Sequence, residues 1–275
     1  MVYHIFYCIT RSLTRIPQPP RGVENIRFIV LPVQKIKIVL VAVMVVTSLW
    51  LGLRAIANAR HQASISALSW ALAGRVIVVD PGHGGVDPGV VGKNDVLEKD
   101  LVLTVGQKLA LYLYQGGARV IMTREGDHDL ADPEITGLYK RKRQDLARRV
   151  ALANNLPADA MVSIHINSFG NPSQYGAQTF AKPDSQESRA LARAIQDELN
   201  RLLKINHRVP LHGDYYILRH SRVPTVIVEI GFITNPREYR LLQDPLYQSK
   251  VAWCLYAGIA RYFAGEGKIP PVQPK

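Results

Sequence analysis

Residues 76–92 read VIVVDPGHGGVDPGVVG, an apolar run that breaks into a glycine-rich loop. A short apolar run bounded by turn residues is typical of a strand that is buried on both faces. The loop places His83 among glycines, and a main chain without Cβ atoms lets another group come close to that imidazole. The segment therefore predicts a buried strand that carries His83 to a binding site.

A phosphate is the first ligand to test against this loop. A dinucleotide-binding turn needs the pattern G-x-G-x-x-G leading directly into a helix. In this chain Asp87 occupies the position of the third glycine, Pro88 follows it, and the lysine of a P-loop is absent. The carboxylate of Asp87 would also repel a pyrophosphate. These departures favour a metal over a phosphate as the ligand near His83.

The rest of the chain alternates strands with helices. Apolar residues at helical spacing end at Gly116-Gly117, and short runs such as RVIMT and TVIVEIGF follow the strand pattern. This alternation predicts an α/β domain with a mostly parallel sheet. The predicted strands are 75–80, 119–123, 160–166, 178–181, 214–219 and 225–232, and the predicted helices are 98–115, 138–154, 186–204 and 245–264.

A charge-free run of sixteen residues, IVLVAVMVVTSLWLGL (38–53), lies between Lys37 and Arg54. A membrane-spanning helix needs about 20 apolar residues, but flanking basic side chains can reach the interface and extend the span. Six basic residues precede the run, which predicts a cytoplasmic N-terminus, an anchor, and an exported remainder on the outer side of the cytoplasmic membrane. The alternative is secretion after cleavage, because Ala57-Asn58-Ala59 resembles a signal-cleavage site.

The net charge of +12 is unevenly placed along the chain. Residues 1–74 carry eight basic side chains against Glu24 alone, which leaves +5 for the remainder. The arginine-rich helix at 138–154 is expected to present a solvated basic face. Since the folded part shows no basic stripe interleaved with aromatic residues, no nucleic-acid partner is predicted. The predicted organisation is a basic cytoplasmic segment (1–37), an anchor or signal segment (38–53), a linker (54–74), the α/β domain (75–264) and a Pro-rich tail (265–275).

Glu98 and His165 are candidate members of one site. Glu98 opens the first predicted helix of the domain, where its spacing to Asp95 fits a helix cap equally well. In the strand MVSIHIN, Ser163, His165 and Asn167 share one face. A buried parallel strand is usually apolar on both faces, so this polar face indicates a site, with a hydrogen-bonded core histidine as the alternative.

Glu229 lies inside the apolar run VIVEIGF. Burying an unpaired carboxylate costs several kcal/mol or forces its protonation. An ion pair would satisfy it, but no neighbour in the sequence is an obvious partner. Glu229 is therefore a candidate for chemistry.

These four candidates share a position in the predicted topology. His83, His165 and Glu229 fall at or near the C-terminal ends of predicted parallel strands, and Glu98 starts the helix after the first strand. Ligands of open α/β sheets bind at that edge. Two histidines and one glutamate, with a fourth position open to water, form a typical catalytic zinc site. A further carboxylate beside it can act as a general base.

Four segments, in this order, resemble the zinc-dependent N-acetylmuramoyl-L-alanine amidase family: DPGHGGVDPGVVG (80–92), LEKD (97–100), SIHINS (163–168) and VEIGFITNP (228–236). The resemblance covers residues 75–264 and implies a single catalytic domain, a twisted, mostly parallel sheet flanked by helices on both faces. By position, it implies that His83, Glu98 and His165 bind one Zn²⁺ per chain. It also implies that Glu229 is the catalytic glutamate.

Within the family, the chain is most similar to the spore-cortex, germination-specific branch, through VIMTREGDHDL (120–130), GAQTF (176–180) and HGDYYILRHSRVP (212–224). The resemblance implies hydrolysis of the amide between N-acetylmuramic acid and L-alanine in peptidoglycan, a step towards muramic-δ-lactam. Peptidoglycan of the cell wall or forespore intermembrane space is then the expected partner. An accessory activating protein stays open.

Two other functional classes stay open as well. One is a zinc peptidase or deacetylase acting on another cell-wall amide, and the other is a non-catalytic wall-binding module. The free carboxylate predicted at Glu229 argues against the second, since binding alone has no use for it. Asn167, two residues after His165, is a candidate substrate-binding residue, with an ordinary loop residue as an equal alternative. Asp87 is a candidate partner that orients His83.

Overall fold

This computed structural model describes residues 33–204 and 207–265. The predicted cytoplasmic segment before residue 33 and nearly all of the Pro-rich tail lie outside the described residues. By its internal contacts the chain divides into two compact units, Met1–Ile56 and Ala57–Lys275.

Helix α1 (Val33–Leu68) begins the described structure. Within it, Gln34–Ala57 spans 24 residues with a mean hydropathy of 2.3, which is long and apolar enough to cross a membrane. An N-terminal signal sequence meets the same criterion. The charge-free run predicted at 38–53 lies inside this span, and its side chains are exposed. The helix continues through most of the segment 54–74.

The second unit contains a six-stranded sheet made of β1 (Val76–Pro81), β2 (Arg119–Met122), β3 (Ala160–Asn167), β4 (Gln178–Ala181), β5 (Leu211–His212) and β6 (Thr225–Phe232). The strand order is β2-β1-β3-β6-β4-β5. The four strands from β2 to β6 in this order are parallel, whereas β4 is antiparallel to β6 and parallel to β5. The predicted mostly parallel sheet is confirmed, with a short mixed edge.

The helices of this unit are α2 (Glu98–Gln115), α3 (Leu138–Asn155), α4 (Gln186–Leu203), α5 (Tyr216–His220), α6 (Pro236–Leu242) and α7 (Pro245–Phe263). Residues of α2, α4 and α7 form one core with Ile77 and Val79 of β1. Residues of α3 and α5 form a second core with Val78 of the same strand. Consecutive residues of β1 enter opposite cores, which is why this strand is continuously apolar. The predicted sheet with helices on both faces is confirmed.

The strand predicted at 214–219 is wrong. Residues 216–220 form α5, and the neighbouring strand is the two-residue β5. Ile217 and Leu218 are consecutive and both buried, and Ile217 packs in the core with α3. A strand would point one of these two side chains away from the core, whereas a helical turn buries both.

A buried ion pair ties α3 to the end of β1. Arg149, which is 1% exposed, donates to Oδ1 of Asp80 at 2.7 Å and to Oδ2 of Asp145 at 2.8 Å. The hydroxyls of Thr123 and Ser163 donate to the two carboxylate oxygens of Asp80. Burial raises the pKa of Asp80, but the charge of Arg149 and these hydrogen bonds hold it below its ordinary value. Asp80 is therefore an ionised carboxylate inside the core.

Two buried guanidinium groups hold the main chain that follows β1. Arg149 also donates to the carbonyl oxygens of Pro81 and His83, at 2.8 and 2.6 Å. Arg124, which is 2% exposed, donates to the carbonyl oxygens of Pro81 and Gly82, both at 2.9 Å. Helix α3 was expected to present a solvated basic face, but Arg149 lies on the buried side of this helix. The loop that carries His83 is thus fixed by charged donors from the core.

Arg149→Met should lower the free energy of unfolding by about 3–5 kcal/mol, because it leaves the buried carboxylate of Asp80 without its cationic partner. Arg148→Met on the same helix removes a partly exposed partner of Asp132 and should cost far less, because solvent screens that pair. Urea unfolding followed by circular dichroism measures both values. Equal losses in the two variants would contradict the importance of the Asp80–Arg149 pair.

Candidate metal centre

His83 lies in a conformation that its neighbours impose. Its φ is 60°, which is rare for a residue with a side chain. The preceding residue, Gly82, donates its N–H to the carbonyl of Ile164 on β3 at 2.9 Å. A Cβ atom at Gly82 would collide with the imidazole of His165. Glycine at this position therefore lets the two histidine rings meet, edge to face, with centroids 4.9 Å apart.

The donor atoms of the three predicted ligands converge. Nε2 of His83 lies 3.2 Å from Nδ1 of His165 and 3.3 Å from Oε1 of Glu98, and the latter two atoms are 3.1 Å apart. In a tetrahedral zinc site with bonds of about 2.0–2.2 Å, neighbouring ligand atoms are about 3.3–3.6 Å apart. The donor triangle, formed by these three atoms, is close to that spacing. Its geometry and its nitrogen and oxygen donors fit zinc or a similar divalent cation.

Glu98 is held by two main-chain donors. Its Oε1 accepts from the N–H of Ile166 and its Oε2 from the N–H of Val90, both at 2.8 Å. The capping alternative is wrong, because the N-cap of α2 is Leu97 and no side chain caps the helix. A Cβ atom at Gly89 would lie 2.6 Å from Oε2, so this glycine leaves room for the carboxylate.

The donor triangle attracts positive charge. Burial lowers the pKa of His83, but hydrogen bonds to Asp87 and Glu98 and the charges of these carboxylates raise it to about 9. Burial raises the pKa of Glu98, while hydrogen bonds to His165 and His83 hold it well below its ordinary value. A proton on His83 balances part of the negative charge of the Asp87 and Glu98 carboxylates. A divalent cation would balance the same charge in place of that proton.

Asp87 contacts His83 on the side away from the donor triangle. Its Oδ2 accepts from Nδ1 of His83 at 2.9 Å and from Nζ of Lys142 at 3.0 Å, and its Oδ1 accepts from the N–H of Gly89 at 3.1 Å. Burial raises the pKa of Asp87, but His83 and Lys142 hold it far below its ordinary value. An ionised carboxylate only accepts hydrogen bonds, so Nδ1 of His83 carries the proton and Nε2 can present a lone pair to a metal.

Glu229 lies beside the donor triangle on the next strand. The register of β3 and β6 places it directly opposite His165, with both side chains on one face of the sheet. Among the described residues, Oε2 of Glu229 is buried without a hydrogen-bond partner. Burial raises the pKa of Glu229 to about 7, with Glu98 adding to the rise and His165 opposing it. A carboxyl with this pKa can take up and return a proton near neutral pH.

Asn167 lies at the end of β3, where its side-chain oxygen accepts from the N–H of Ser168 at 2.7 Å. This contact is with the turn after the strand and not with the donor triangle.

The sequence did not reveal Arg124, Arg149 and Lys142 as supports of the site. An acidic residue four positions before Arg149 was the available signal for its ion pair, and nothing comparable marks the other two.

The N-acetylmuramoyl-L-alanine amidase family matches residues 77–261, which include the donor triangle and Glu229. The chain belongs to this family. The family is in general zinc-dependent, in agreement with a possible metal site at His83, Glu98 and His165.

Individual relatives support the same assignment. The chain is 43% identical over 201 residues to the germination-specific N-acetylmuramoyl-L-alanine amidase of Bacillus subtilis (strain 168), covering 72% of this chain and 84% of that protein. It is 30% identical to the amidase AmiA of Escherichia coli (strain K12) over 234 residues, which cover 69% of this chain and 76% of that protein. The CwlD amidase from Clostridioides difficile, solved in complex with the GerS lipoprotein, superposes with a TM-score of 0.68 at 38% identity, over 70% of this chain and 100% of that chain. The predicted family and fold are confirmed.

Asp87→Asn should weaken zinc binding by about 10- to 100-fold, because the amide lacks the charge that orients and polarises His83. Asp95→Asn changes an exposed aspartate of the same loop and should leave zinc affinity unchanged. Competition with a fluorescent chelator measures the Kd of each variant. Wild-type affinity in Asp87→Asn would show that His83 binds metal without help from this carboxylate.

Proposed function

We propose that this chain is a hydrolase that cleaves the amide bond between N-acetylmuramic acid and L-alanine in peptidoglycan. The convergence of His83, Glu98 and His165 beside Glu229, whose Oε2 is buried with no hydrogen-bond partner in the described part of the chain, is the observation that carries the proposal. Three metal donors with an adjacent base are the groups that a metal-dependent amide hydrolase needs. Membership in the amidase family identifies the bond.

His83, Glu98 and His165 would hold the zinc ion. When bound there, zinc supplies a Lewis acid that polarises the scissile carbonyl and activates water. The protein prepares these side chains for that task, since Asp87 fixes the ring of His83 and two main-chain N–H groups fix the carboxylate of Glu98. Ligands held in this way need little reorganisation when they bind a metal.

Glu229 would act first as general base and then as general acid. Its Oε2 would accept a proton from the attacking water as the water oxygen bonds to the carbonyl carbon. The same carboxyl would then protonate the nitrogen of L-alanine as the C–N bond breaks. The products are a free lactyl carboxyl on muramic acid and a free amino group on the stem peptide.

Asn167 is a further candidate, as a substrate-binding residue.

We extend the proposal to spore-cortex peptidoglycan, where removal of the stem peptide leads towards muramic-δ-lactam. The 43% identity with the germination-specific amidase of Bacillus subtilis supports this substrate. Helix α1 supports export, with an anchor in the cytoplasmic membrane favoured over a cleaved signal. The solved CwlD amidase is in complex with the GerS lipoprotein, and an accessory lipoprotein is the corresponding partner proposed for this chain.

Mass spectrometry of muropeptides treated with the full-length protein should show intact stem peptides released from muramic acid. A chelator should abolish the release and added Zn²⁺ should restore it. Glu229→Gln should lower kcat by at least about 100-fold while the chain keeps about one zinc ion, since the base is not a metal ligand. Glu134→Gln, which changes an exposed carboxylate of the same domain, should turn over like the wild type.

The same experiment separates the alternatives. Cleavage between amino acids of the stem would identify a zinc peptidase, and release of acetate would identify a deacetylase. Near-wild-type turnover in Glu229→Gln would remove this residue from the mechanism. A zinc-loaded wild type that binds peptidoglycan without cleaving it would favour the wall-binding module.

The pH dependence of kcat/KM should report on Glu229. Only its ionised form accepts a proton, so activity falls as the pH drops through its pKa. Burial raises that pKa from 4.5 to about 7, and the positive charge of a bound cation would lower it again, so the acid midpoint should lie between these two values. Rates on a soluble muropeptide at constant zinc occupancy test this. An acid midpoint above neutrality would assign the acid limb to another group.

A further inference from the structure

A groove of about 830 Å³ opens next to the donor triangle, between the loop after β1 and the loops after β3 and β6. Its volume falls within the range of about 300–1,000 Å³ that is common for ligand sites. The groove begins at Val90, whose N–H donates to the ligand carboxylate of Glu98. Phe169 and Ile233, each four positions after His165 and Glu229 respectively, also line it. One wall of the groove is therefore hydrogen-bonded directly to a member of the donor triangle.

The walls of this groove are apolar, and two cations lie on them. Phe169 and Val91 are 56% and 52% exposed, so the groove presents apolar side chains to solvent. Lys93, from the loop after β1, and Arg240, from α6, are exposed as well. Among the described residues, no acidic side chain pairs with either cation. The hydroxyl of Tyr239 donates to the carbonyl of Lys93 at 2.7 Å, which ties the two cation-bearing segments together.

The charge of the substrate decides which part of it fits this groove. The only carboxyl of N-acetylmuramic acid is consumed in the scissile amide, so the sugar side of that bond carries no anion. Free carboxylates lie on the peptide side, beyond L-alanine. Two cations next to an apolar wall, neither of them paired with an acidic side chain of the described residues, therefore complement the peptide and not the glycan.

We propose that the groove binds the stem peptide, with Lys93 and Arg240 recognising a free carboxylate on a residue beyond L-alanine. This inference rests on the proposed amidase function and names the specificity of the same site. Apolar contacts with Phe169 and Ile233 would hold the peptide, and the cations would set its orientation towards the donor triangle. Lys93 and Arg240 are specificity residues in this view and take no part in bond cleavage.

Two synthetic muropeptides test the proposal, identical except that the stem carboxylates beyond L-alanine are free in one and converted to carboxamides in the other. The wild type should cleave the acidic muropeptide with a kcat/KM about tenfold higher or more, the effect of charged hydrogen bonds. Lys93→Gln combined with Arg240→Gln should remove that preference, lowering kcat/KM for the acidic muropeptide alone. Arg237→Gln is the matched control, because this arginine lies on the same helix and lines a different cavity.

Zinc content, measured for every variant, separates a specificity effect from damage to the metal site. Equal loss on both muropeptides in the double variant would overturn the inference, as would a wild type that cleaves both equally. In those cases cleavage itself still upholds the amidase function. A double variant whose preference for glycan length changes, with its preference for charge intact, would assign the groove to the glycan and also overturn the inference. Failure of the zinc-loaded wild type to cleave either muropeptide would overturn the amidase function and this inference with it.

Discussion

The ion pair between Asp80 and Arg149 is the interaction on which the site depends. A carboxylate in a hydrophobic core is strongly unfavourable unless a cation and hydrogen bonds compensate for the lost water. Arg149 provides that compensation and, with the rest of its guanidinium group, holds the carbonyl oxygens of Pro81 and His83. The charge balance of the core therefore also sets the main-chain path of the loop. A glycine-rich loop without such donors would sample many conformations.

Two glutamates lie within one site and have opposite environments. Glu98 accepts from two main-chain N–H groups and faces two imidazoles, so it stays ionised. Among the described residues no group donates to Oε2 of Glu229, and the pKa of Glu229 is raised towards neutrality. The proposed division between a metal-binding and a proton-carrying carboxylate would follow from these surroundings and not from residue type.

Much of this arrangement could be predicted from the sequence, because it follows from local patterns. Apolar runs located the central strands, and a lone acid in VIVEIGF marked Glu229. What escaped prediction depends on contacts between distant segments. Whether Glu98 caps its helix or joins the two histidines depends on a hydrogen bond from Ile166, far along the chain. Whether Arg149 is solvated depends on the rotation of α3 against the sheet. The local sequence pattern did not predict the helix at 216–220, because its two consecutive residues are buried by packing against other elements.

The spacing of the donors along the chain has a consequence for how the protein matures. His83 and His165 are separated by 82 positions, and β1 and β3 must pair before their imidazoles can meet. An unfolded chain presents these donors independently, so tight binding of a metal would follow formation of the sheet and would add its binding free energy to that of the fold. The supply of zinc in the compartment where the domain folds would then govern its resistance to proteolysis as well as its catalytic competence.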